Sequence, residues 1–553
     1  METSTHYRLP EFEFVPPPEL APGAGGQQRK RHSLVIVGAG LAGLTLAADL
    51  ASRGVACTVL DEDNTVGVRG ASSRGIAYMQ KTLEIMARVG IYERIAAKGT
   101  RWSVGKVLSG PDVLYEFDFQ PASVSLQPPF VNIQQFYLEW YLVDRLLELG
   151  LTDLRWKNKV TGARNLDDRV ELDVQTPAGA YTLEADWVVD AEGVNSAVRQ
   201  LLQLREHTER GLDRWCITDV KFTHKRLNER WTWVEAPFND NRGVWQHLMA
   251  DQVWRLDFQM APDADPAYVS RHDVARERVR AMLGPDVDFE IVWVGAYSYR
   301  TMLMERFRHG RLVFIGDAAH AKSPFGARGG NSGIADADNL GWKLQLLLQG
   351  RAGPEILDTY HLERHRAAQE NIRITSRSGR FMQPRSPMEF TLRQAVVQLA
   401  REQYAFARGL VNTGRMMSSH HYGGLPTVGP GPQDGRLIPN VPLRAGGRDL
   451  GLVDVLRETG CEHAAFVFPA AGSAPALGAL AAATDGLPVR LWVVGRDVED
   501  PQGLLAAQAG TAPGGIALVR PDGHLATALA RHDGAALAAA VRRSLGQSLP
   551  VTS

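Results

Sequence analysis

A glycine-rich turn between a strand and a helix constrains the fold of this chain more than any other feature. Leu34 to Val37 is an apolar, β-branched run, and the turn Gly38-Ala39-Gly40-Leu41-Ala42-Gly43 follows it directly. A helical run continues from Leu44 to Ala51, and a second apolar strand covers Val55 to Leu60. This order predicts the first βαβ unit of a dinucleotide-binding sheet, with the whole turn, Leu41 and Ala42 included, against the ligand.

Each glycine of this unit, and the acid at its end, has a physical role. Gly38 permits the tight turn, Gly40 lets the backbone approach a pyrophosphate, and Gly43 lets the helix pack closely on the strand. The second strand ends at Asp61 and Glu62. A carboxylate there accepts a hydrogen bond from a ribose hydroxyl, so Asp61 is the first candidate and Glu62 the second. An acid at this point favours the adenosine of FAD or NAD over a 2′-phosphate.

Two further strands end in an acid next to glycine. Trp187 to Asp190 precedes Glu192-Gly193, and Leu312 to Ile315 precedes Gly316-Asp317. A glycine-containing loop follows Asp317, and a helical pattern begins at about Asn331. A helix start offers free N–H groups and partial positive charge to an electron-rich ligand. Several strands of one sheet are therefore expected to point toward one ligand.

The overall composition narrows the classes of function. The chain has 553 residues, too many for one ordinary core, so several domains are expected. Its 61 basic and 62 acidic residues give a formal net charge of −1, which argues against a nucleic-acid-binding protein. Three widely spaced cysteines form no metal-ligand pattern, and no apolar run suffices to span a membrane. We expect a cytoplasmic enzyme without a bound metal.

Other segments add candidate ligand contacts. Arg74 lies in a basic loop that could clamp phosphate charge, and Gln134 and Gln135 stand just before an amphipathic helix. Half of the twelve tryptophans fall between residues 213 and 300, where period-two alternation predicts an antiparallel sheet. This sheet could wall an apolar pocket, although ordinary sheet packing explains any single tryptophan. A Gly/Pro-rich stretch, Gly423 to Gly435, predicts a linker before a small α/β unit.

Three motifs, in this order, resemble the class A flavoprotein aromatic monooxygenases of the para-hydroxybenzoate hydroxylase superfamily. Gly38 to Gly43 matches the turn that binds the ADP part of FAD. Glu192-Gly193 with Ser196 and Arg199 matches the "DGxxSxxR" motif, which is implicated in FAD and NAD(P)H binding. Gly316-Asp317 matches the "GD" motif of the riboflavin half, together with Pro324, Gly329, Gly330 and Asn331.

The resemblance implies an α/β fold class: a Rossmann-like FAD-binding domain of the glutathione-reductase type, an inserted antiparallel β-sheet substrate domain and a thioredoxin-like C-terminal domain. The layout is most similar to phenol hydroxylase and 3-(3-hydroxyphenyl)propionate hydroxylase-like proteins. The expected boundaries are a flexible leader (1–32), the FAD-binding domain (33–212 and 301–422), the substrate domain (213–300), and the linker with the C-terminal domain (423–553).

The resemblance also implies the chemistry. NAD(P)H would reduce FAD, O2 would add to give a flavin C4a-hydroperoxide, and a small phenolic or aromatic substrate would be hydroxylated. A proton acceptor beside the ring is expected, and His247, Tyr297 and Tyr299 are candidates by residue type and region. Pro324 and Arg328 are assigned to the catalytic end, and Arg74 with Gln134 or Gln135 to FAD.

The chain departs from the family pattern at two positions. Glu192 stands where the family usually has Asp, and Phe325-Gly326-Ala327-Arg328 stands where relatives often carry Gly-Gly-Gln. Arg328 would place a fixed cation beside the flavin, which could raise the flavin potential or guide an anionic substrate.

Several alternatives stay open at this stage. Another flavoenzyme of the same fold is one: an epoxidase, a decarboxylative hydroxylase or a flavin reductase. A non-catalytic escort protein with a nucleotide-binding fold is another, although the intact third motif argues against it. A homodimer is the candidate assembly.

Overall fold

The computed structural model describes residues 9–21, 31–67, 75–118, 123–224, 228–403, 410–411, 421–470, 472 and 475–547. Arg74, predicted to contact FAD, lies outside the described residues. From the predicted leader, residues 9–21 lie along the first domain. Phe12 stacks on Trp156 with 4.6 Å between ring centroids, and Glu19 pairs with Arg155 at 3.0 Å.

The first domain is built on an eight-stranded sheet. Its strands are β1 (Arg31–Val37), β2 (Cys57–Leu60), β8 (Thr152–Arg155), β9 (Lys159–Asn165), β10 (Val170–Thr176), β11 (Gly179–Asp190), β17 (Arg308–His309) and β18 (Leu312–Phe314). The order is β17-β18-β11-β1-β2-β8, and β10 and β9 extend from β11. Strands β18, β11, β1, β2 and β8 are mutually parallel, so their carboxyl ends meet at one edge.

The second sheet also has eight strands. They are β5 (Val104–Ser109), β6 (Asp112–Asp118), β12 (Glu206–Phe222), β13 (Arg230–Ala236), β14 (Arg242–Leu248), β15 (Val253–Met260), β16 (Phe289–Met304) and β19 (His320–Ala321). Their order is β19-β16-β12-β15-β14-β13-β5-β6. Every neighbouring pair is antiparallel except β13 and β5. We call this mainly antiparallel sheet the large sheet. Strands β5 and β6, which precede residues 213–300, and β19, which follows them, complete it.

Helices cover the first sheet and connect it to the rest of the chain. They are α1 (Leu41–Ser52), α2 (Gln80–Val89), α3 (Tyr92–Lys98), α4 (Gln135–Leu149), α5 (Ala197–Leu201), α6 (Pro266–Val269), α7 (His272–Leu283), α8 (Arg328–Leu348), α9 (Ile356–Met382) and α10 (Pro387–Glu402). Helix α1 packs on α4 and α8. A small sheet of β3 (Ala77–Met79), β7 (Phe130–Asn132) and β4 (Thr100–Trp102), in the order β3-β7-β4, is formed by the chain between β2 and β8.

The C-terminal unit has its own sheet and core. A hairpin of β20 (Pro442–Ala445) and β21 (Arg448–Gly451) precedes β22 (His463–Val467), β23 (Val489–Val493), β24 (Ile516–Val519) and β25 (Leu525–Leu529), with helices α11 (Leu452–Thr459), α12 (Leu477–Ala483), α13 (Leu504–Ala509) and α14 (Gly534–Ser544). The order is β23-β22-β24-β25, with β22 and β23 parallel and the other pairs antiparallel. This is the arrangement of a thioredoxin-like fold.

Among the helices that the structure describes, none is both long and apolar enough to cross a bilayer. The predicted α/β fold class is confirmed, while the domain boundaries stay predictions. One helix start was wrong: α8 begins at Arg328, three residues before the predicted Asn331. The left-handed backbone of Ala327 (φ 53°) ends the preceding loop, so Gly329 and Gly330 belong to the first helical turn.

Candidate active site

The three predicted motifs converge at one edge of the first sheet. Each follows the carboxyl end of a parallel strand, at Val37 of β1, Asp190 of β11 and Phe314 of β18. These strands are neighbours: Val37 is in register with Asp190, and Asp190 with Phe314. The carboxyl edge of such a sheet is where this class of fold binds its ligand.

The glycines of these motifs make close contacts between them. A Cβ on Gly38 (φ +103°) would lie 2.6 Å from the carbonyl oxygen of Ala191, and one on Gly43 would lie 2.0 Å from that of Gly38. A Cβ on Gly316 (φ +60°) would lie 3.0 Å from the Cβ of Ala42. A side chain at any of these points would push the motifs apart. Gly40, in contrast, faces open space.

The two acids after β2 have different surroundings. Asp61 accepts hydrogen bonds from the backbone N–H of Ala39 at 2.6 Å and of Asp63 at 2.8 Å, so it fixes the shape of the glycine turn. Burial raises the pKa of Asp61 to about 6. Glu62 is exposed and pairs with Lys159 at 2.9 Å. Ribose binding stays a prediction for both residues.

The second motif connects the sheet edge to the third motif. Asp190 accepts hydrogen bonds from the Ser196 hydroxyl and from the backbone N–H of Glu192, the latter at 2.9 Å. Burial and the neighbouring Glu192 raise the pKa of Asp190 to about 7. The Glu192 carboxylate accepts from the backbone N–H of Val198 at 3.1 Å, so the longer acid at this position supports the first turn of α5, whose N-cap is Ser196. Gly193 begins the intervening turn with a φ of +80°.

Arg199 holds the loop of the third motif. Its guanidinium donates to the carbonyl of Ala318 at 2.6 Å and to that of Val194 at 2.7 Å, and it pairs with Glu206 at 2.6 Å. The contact with Ala318 fixes the backbone directly after Asp317. A direct contact between Arg199 and a cofactor stays a prediction.

Asn331 fastens the start of α8 to the small sheet. Its side-chain oxygen accepts from the N–H of Met79 at 3.1 Å and from the hydroxyl of Thr82 at 2.6 Å. Its amide nitrogen donates to the carbonyls of Ala77 at 2.8 Å and of Ala327 at 2.6 Å. The side chain is fully used in the protein, so Asn331 orients the helix N-terminus. Gly329 faces open space in the same turn.

A cavity of about 840 Å³ joins this helix start to the large sheet. On the motif side it is lined by Gln135, Asp317, Lys322, Pro324, Arg328, Gly329, Gly330 and Asn331. On the sheet side it is lined by Ile217, Arg230, Trp245, His247, Arg255, Asp257, Trp293, Tyr297 and Tyr299. The expected aromatic walls are therefore present.

The cavity does not bring all predicted residues together. Gln135 lines it and donates to Glu139 at 2.8 Å, whereas Gln134 is buried and donates to the carbonyl of Ala250 at 3.2 Å. Arg328 is buried against the cavity and donates to the Asn371 side chain at 2.6 Å. Burial lowers the pKa of Arg328 to about 10, against the opposing field of Glu370.

Sequence reasoning did not single out Lys322, which is the end of a buried hydrogen-bonded chain. Its Nζ lies 3.0 Å from Nδ1 of His320, and Nε2 of His320 lies 2.7 Å from Asp336. Asp336 also accepts from Arg364 at 2.6 Å and from the N–H of Gly316 at 2.9 Å. Burial lowers the pKa of Lys322 to about 8, although Asp336 and Asp317 oppose this shift.

The electrostatic surroundings of His247 argue against its predicted role as a proton acceptor. Burial, Arg230 and Arg255 together hold the pKa of His247 well below its usual range. The imidazole is therefore neutral and weakly basic at neutral pH. Tyr297 lines the same cavity, and its catalytic role stays a prediction.

The residues at the sheet edge fit FAD. Gly40 and Gly329 leave open space beside backbone N–H groups, as phosphate and an electron-rich ring edge require. Asp317 is an exposed acceptor on the cavity wall, suited to hydroxyl groups of a ribityl chain. The tight contacts at Gly38, Gly43 and Gly316 bring these groups within reach of one extended ligand.

Comparison with known proteins agrees with this arrangement. The model of the family described as "FAD binding domain" matches residues 31–375. The chain belongs to this family. FAD is thus its cofactor, and the predicted family, enzyme class and fold are confirmed.

Relatives of this FAD binding domain protein are oxygenases. It is 29% identical over 521 residues to the 12-dehydrotetracycline 5-monooxygenase/anhydrotetracycline 6-monooxygenase of Streptomyces rimosus subsp. rimosus, covering 90% of this chain and 95% of the relative. It is 29% identical over 378 residues to a 3-(3-hydroxy-phenyl)propionate/3-hydroxycinnamic acid hydroxylase of Mycolicibacterium gilvum, covering 66% of this chain and 63% of the relative. The fold matches the flavin-dependent monooxygenase PieE, solved with FAD and substrate, with a TM-score of 0.79 and 24% identity over 94% of this chain and 99% of PieE.

Arg230 is a second cavity residue that sequence reasoning missed in this FAD binding domain protein. The alternation of β13 places Arg230 on the same face as Thr232 and Val234, which are both fully buried. A charged residue in phase with two buried positions was the available signal, and it shows only once the strand boundaries are known.

Proposed function

We propose that this protein is an NAD(P)H- and O2-dependent hydroxylase of a fused-ring phenolic substrate. The observation that carries the proposal is the 840 Å³ cavity between the FAD motifs and the aromatic face of the large sheet. One wall of it offers the helix start of α8 and Asp317, and the other offers a surface for an aromatic ring. The relatives' activity as monooxygenases supports the same reaction class.

The protein's part in the reaction begins with holding FAD. The Gly38–Gly43 turn would face the pyrophosphate, Asp61 or Glu62 the adenosine ribose, and Asp317 the ribityl chain. The first turn of α8, at Gly329 and Gly330, would present N–H groups and its positive dipole end to the ring edge. When bound, FAD supplies electron transfer from NAD(P)H and the activation of O2.

Aromatic side chains on the large sheet would exclude water from the reacting ring. Trp245 and Trp293 line the cavity, together with Tyr297 and Tyr299. Phe325 supports this wall from behind, with its ring centroid 5.1 Å from that of Trp245 in an edge-to-face contact. Pro324 lines the cavity beside Phe325 and would fix the position of the ring near the cofactor end.

Lys322 is the best placed proton acceptor for the substrate phenol. A phenolate is attacked faster than a phenol, so a base near the ring assists the reaction. Neutral Lys322 would take the phenolic proton at Nζ, and the resulting cation would lie in the field of Asp317 and Asp336. With a pKa of about 8, this amine is far better matched to neutral pH than His247.

A fused-ring substrate is proposed because a relative acts on one and the cavity extends along the large sheet beyond the flavin site. The anhydrotetracycline 6-monooxygenase, by its name, acts on a polycyclic compound, and this chain covers 95% of its length. The cavity of about 840 Å³ includes the space for the flavin ring beside Gly329 and Gly330, and its part along the large sheet remains for the substrate.

The test is to load the purified protein with FAD and supply NADH or NADPH with a panel of one-ring to four-ring phenols under 18O2. We expect substrate-stimulated NAD(P)H oxidation and a product with one labelled oxygen on an aromatic ring. An epoxide or a decarboxylated product would instead identify one of the alternative flavoenzymes. Stimulated oxidation with no labelled product from any phenol would overturn the proposal.

We further propose a cytoplasmic location, because Cys57, Cys216 and Cys461 are all free, as in a reducing compartment. The candidate assembly is a homodimer, which light scattering on the purified protein would test.

A further inference from the structure

The wall that the large sheet gives to the cavity contains a row of polar side chains that the proposed reaction does not use. Arg230 on β13, His247 on β14 and Arg255 on β15 lie side by side across the large sheet. His247 is in register with Arg255, and Arg230 stands one residue beyond the Trp231–Gln246 pair, opposite His247. Each is at most 6% exposed, and all three line the cavity.

The two arginines of this row differ in their partners. The Arg255 guanidinium forms a bidentate ion pair with Asp257, with Nη2 2.7 Å from Oδ1 and Nε 2.9 Å from Oδ2. In the part of the chain that the structure describes, no carboxylate lies within 4.0 Å of the Arg230 guanidinium, and its buried Nε has no hydrogen-bond partner. Burial lowers the pKa of Arg230 to about 10, as expected of a cation without a close counter-charge.

His247 adds a second unsatisfied group next to Arg230. Its Nδ1 is buried and has no hydrogen-bond partner among the described residues, and its Nε2 is 3.9 Å from the nearest Asp257 oxygen. Buried polar groups without partners are unfavourable and rare in folded proteins. Two of them, on adjacent strands in the lining of one cavity, indicate a site for a ligand group that accepts hydrogen bonds from both.

We infer that Arg230 and His247 form an anchor for an oxyanion on the substrate, at the end remote from the hydroxylated ring. The inference rests on the proposed function. Arginine binds a carboxylate or a 1,3-dicarbonyl enolate through two parallel N–H donors, which gives orientation as well as affinity. The substrate class is thereby narrowed to acidic fused-ring phenols.

The distance along the sheet supports a remote anchor. Strand β13 is four strands away from β16, which carries Tyr297 and lies next to the motif side of the cavity. At roughly 4.8 Å per strand, the anchor is about 19 Å from β16 along the sheet. A ligand that reaches both ends is elongated, with its acidic group at one end and the reacting ring at the other.

The test measures binding without turnover, by calorimetry on the FAD-loaded protein in the absence of NAD(P)H. The probes are 4,5-dihydroxyanthraquinone-2-carboxylate and its 2-carboxamide, which differ only in charge. We expect the wild-type protein to bind the carboxylate at least tenfold more tightly. Arg230→Gln should weaken carboxylate binding roughly 10- to 100-fold, the loss of one charge-assisted contact, and change amide binding by less than about threefold.

Two further variants complete the test. Arg230→Lys keeps the charge without the planar fork and should restore part of the preference. Arg242→Gln, at an arginine of the same sheet paired with Asp240 at 2.9 Å, should leave both affinities unchanged. Equal affinity of the wild type for the two probes, including no measurable binding of either, would overturn the inference. So would an equal loss of both affinities in Arg230→Gln with a lower melting temperature, which would mean a structural role.

The binding test of the anchor and the hydroxylation test of the proposed function can fail independently of each other. An acid preference that depends on Arg230 would stand even if no probe were hydroxylated. Hydroxylation of uncharged phenols in preference to acidic ones would support the reaction and overturn the anchor.

Discussion

Buried charges are arranged differently at the boundary between α8, α9 and the C-terminal unit than on the cavity face of the large sheet. At the boundary, Glu363 accepts from Arg520 at 2.6 Å and Lys343 at 2.9 Å, and Arg520 also pairs with Asp522 at 2.7 Å. All four side chains are fully buried. On the cavity face, Arg230 is also buried, with 6% exposure, but has no close counter-charge among the described residues.

This difference in pairing distinguishes charges that stabilise the fold from charges that are available to a ligand. Burial alone would raise the pKa of Glu363, but Arg520 and Lys343 hold it well below its usual range. Such a network is complete within the protein, and removing one member leaves an uncompensated buried charge. Arg230 and the exposed Asp317 are incomplete within the protein, so their removal is expected to affect binding and not folding.

The largest effect is expected from Glu363→Gln. This change leaves Arg520 and Lys343 with one carboxylate fewer in a fully buried site, and the free energy of unfolding should fall by about 3–5 kcal/mol. Urea unfolding of the FAD-free protein measures it. Arg230→Gln should not reduce the same free energy, because no ion pair is lost.

A matched control for this network is Glu458→Gln, which breaks the exposed pair with Arg490 in the same C-terminal unit. Its effect should stay within about 1 kcal/mol. If Glu363→Gln were as mild as Glu458→Gln, the distinction between paired and unpaired buried charges would lose its basis.

The next largest effect is expected from Asp317→Ala on FAD binding. The carboxylate is exposed on the cavity wall, and removing an acceptor for ribityl hydroxyls should weaken FAD binding roughly 10- to 100-fold. Titration of the FAD-free protein with FAD, followed by flavin fluorescence, gives the dissociation constant. An unchanged constant would show that Asp317 does not hold the cofactor.

A smaller effect is expected from Lys322→Met on the pH dependence of turnover. The pKa of Lys322 is lowered to about 8, so the amine becomes a neutral proton acceptor as the pH rises through that value. In the wild type, kcat/KM should therefore rise about tenfold between pH 7 and pH 9. The variant should lack this rise.

The groups around Lys322 must keep their charges across this range for the pH profile to report on it. They are His320, Asp336, Asp317, Arg364 and Arg328, and burial holds the pKa of His320 below its usual value. Persistence of the rise in Lys322→Met would assign the proton acceptor to another residue.

The smallest effect is expected from Arg328→Gln on the flavin potential. Arg328 donates to Asn371 and lies in the field of Glu370, so its charge is partly compensated before it reaches the cofactor. Loss of the cation should lower the two-electron potential by about 15 mV, or roughly 0.7 kcal/mol. Equilibration with reference dyes measures it, and an unchanged potential with unchanged affinity for the carboxylate probe would remove both roles predicted for Arg328.

Local features of the fold could be predicted because they depend on neighbouring residues. The turn at Gly38 follows from glycine's access to positive φ, and the strands before it and before Gly316 follow from short apolar runs. The start of α8 was misplaced by three residues because Gly329 and Gly330 weaken the helical pattern. The packing of Gly330 against Leu41, where a Cβ on Gly330 would lie 3.1 Å from the Leu41 side chain, compensates for part of this poor propensity.

Candidate site residues that belong to one local motif could also be predicted from the sequence. Asp317, Pro324, Gly329 and Gly330 all line the cavity, as does His247 from the tryptophan-rich region. The roles of Arg199 and Asn331 could not be inferred in the same way. Their side chains are occupied by Ala318 and by Ala77, partners far apart in the chain that no local pattern identifies.

The sequence by itself indicated the cofactor: a strand, a glycine turn and an acid predict a dinucleotide-binding edge through local backbone geometry, and the resemblance of three motifs to a known family implies FAD. Only the tertiary structure decided which charged residues serve the fold and which face a ligand. Arg520 meets Glu363 from 157 residues away, and Arg230 meets His247 through the register of β13 on β14. Burial and counter-charge are properties of such non-local contacts, so they emerge only when the chain is folded.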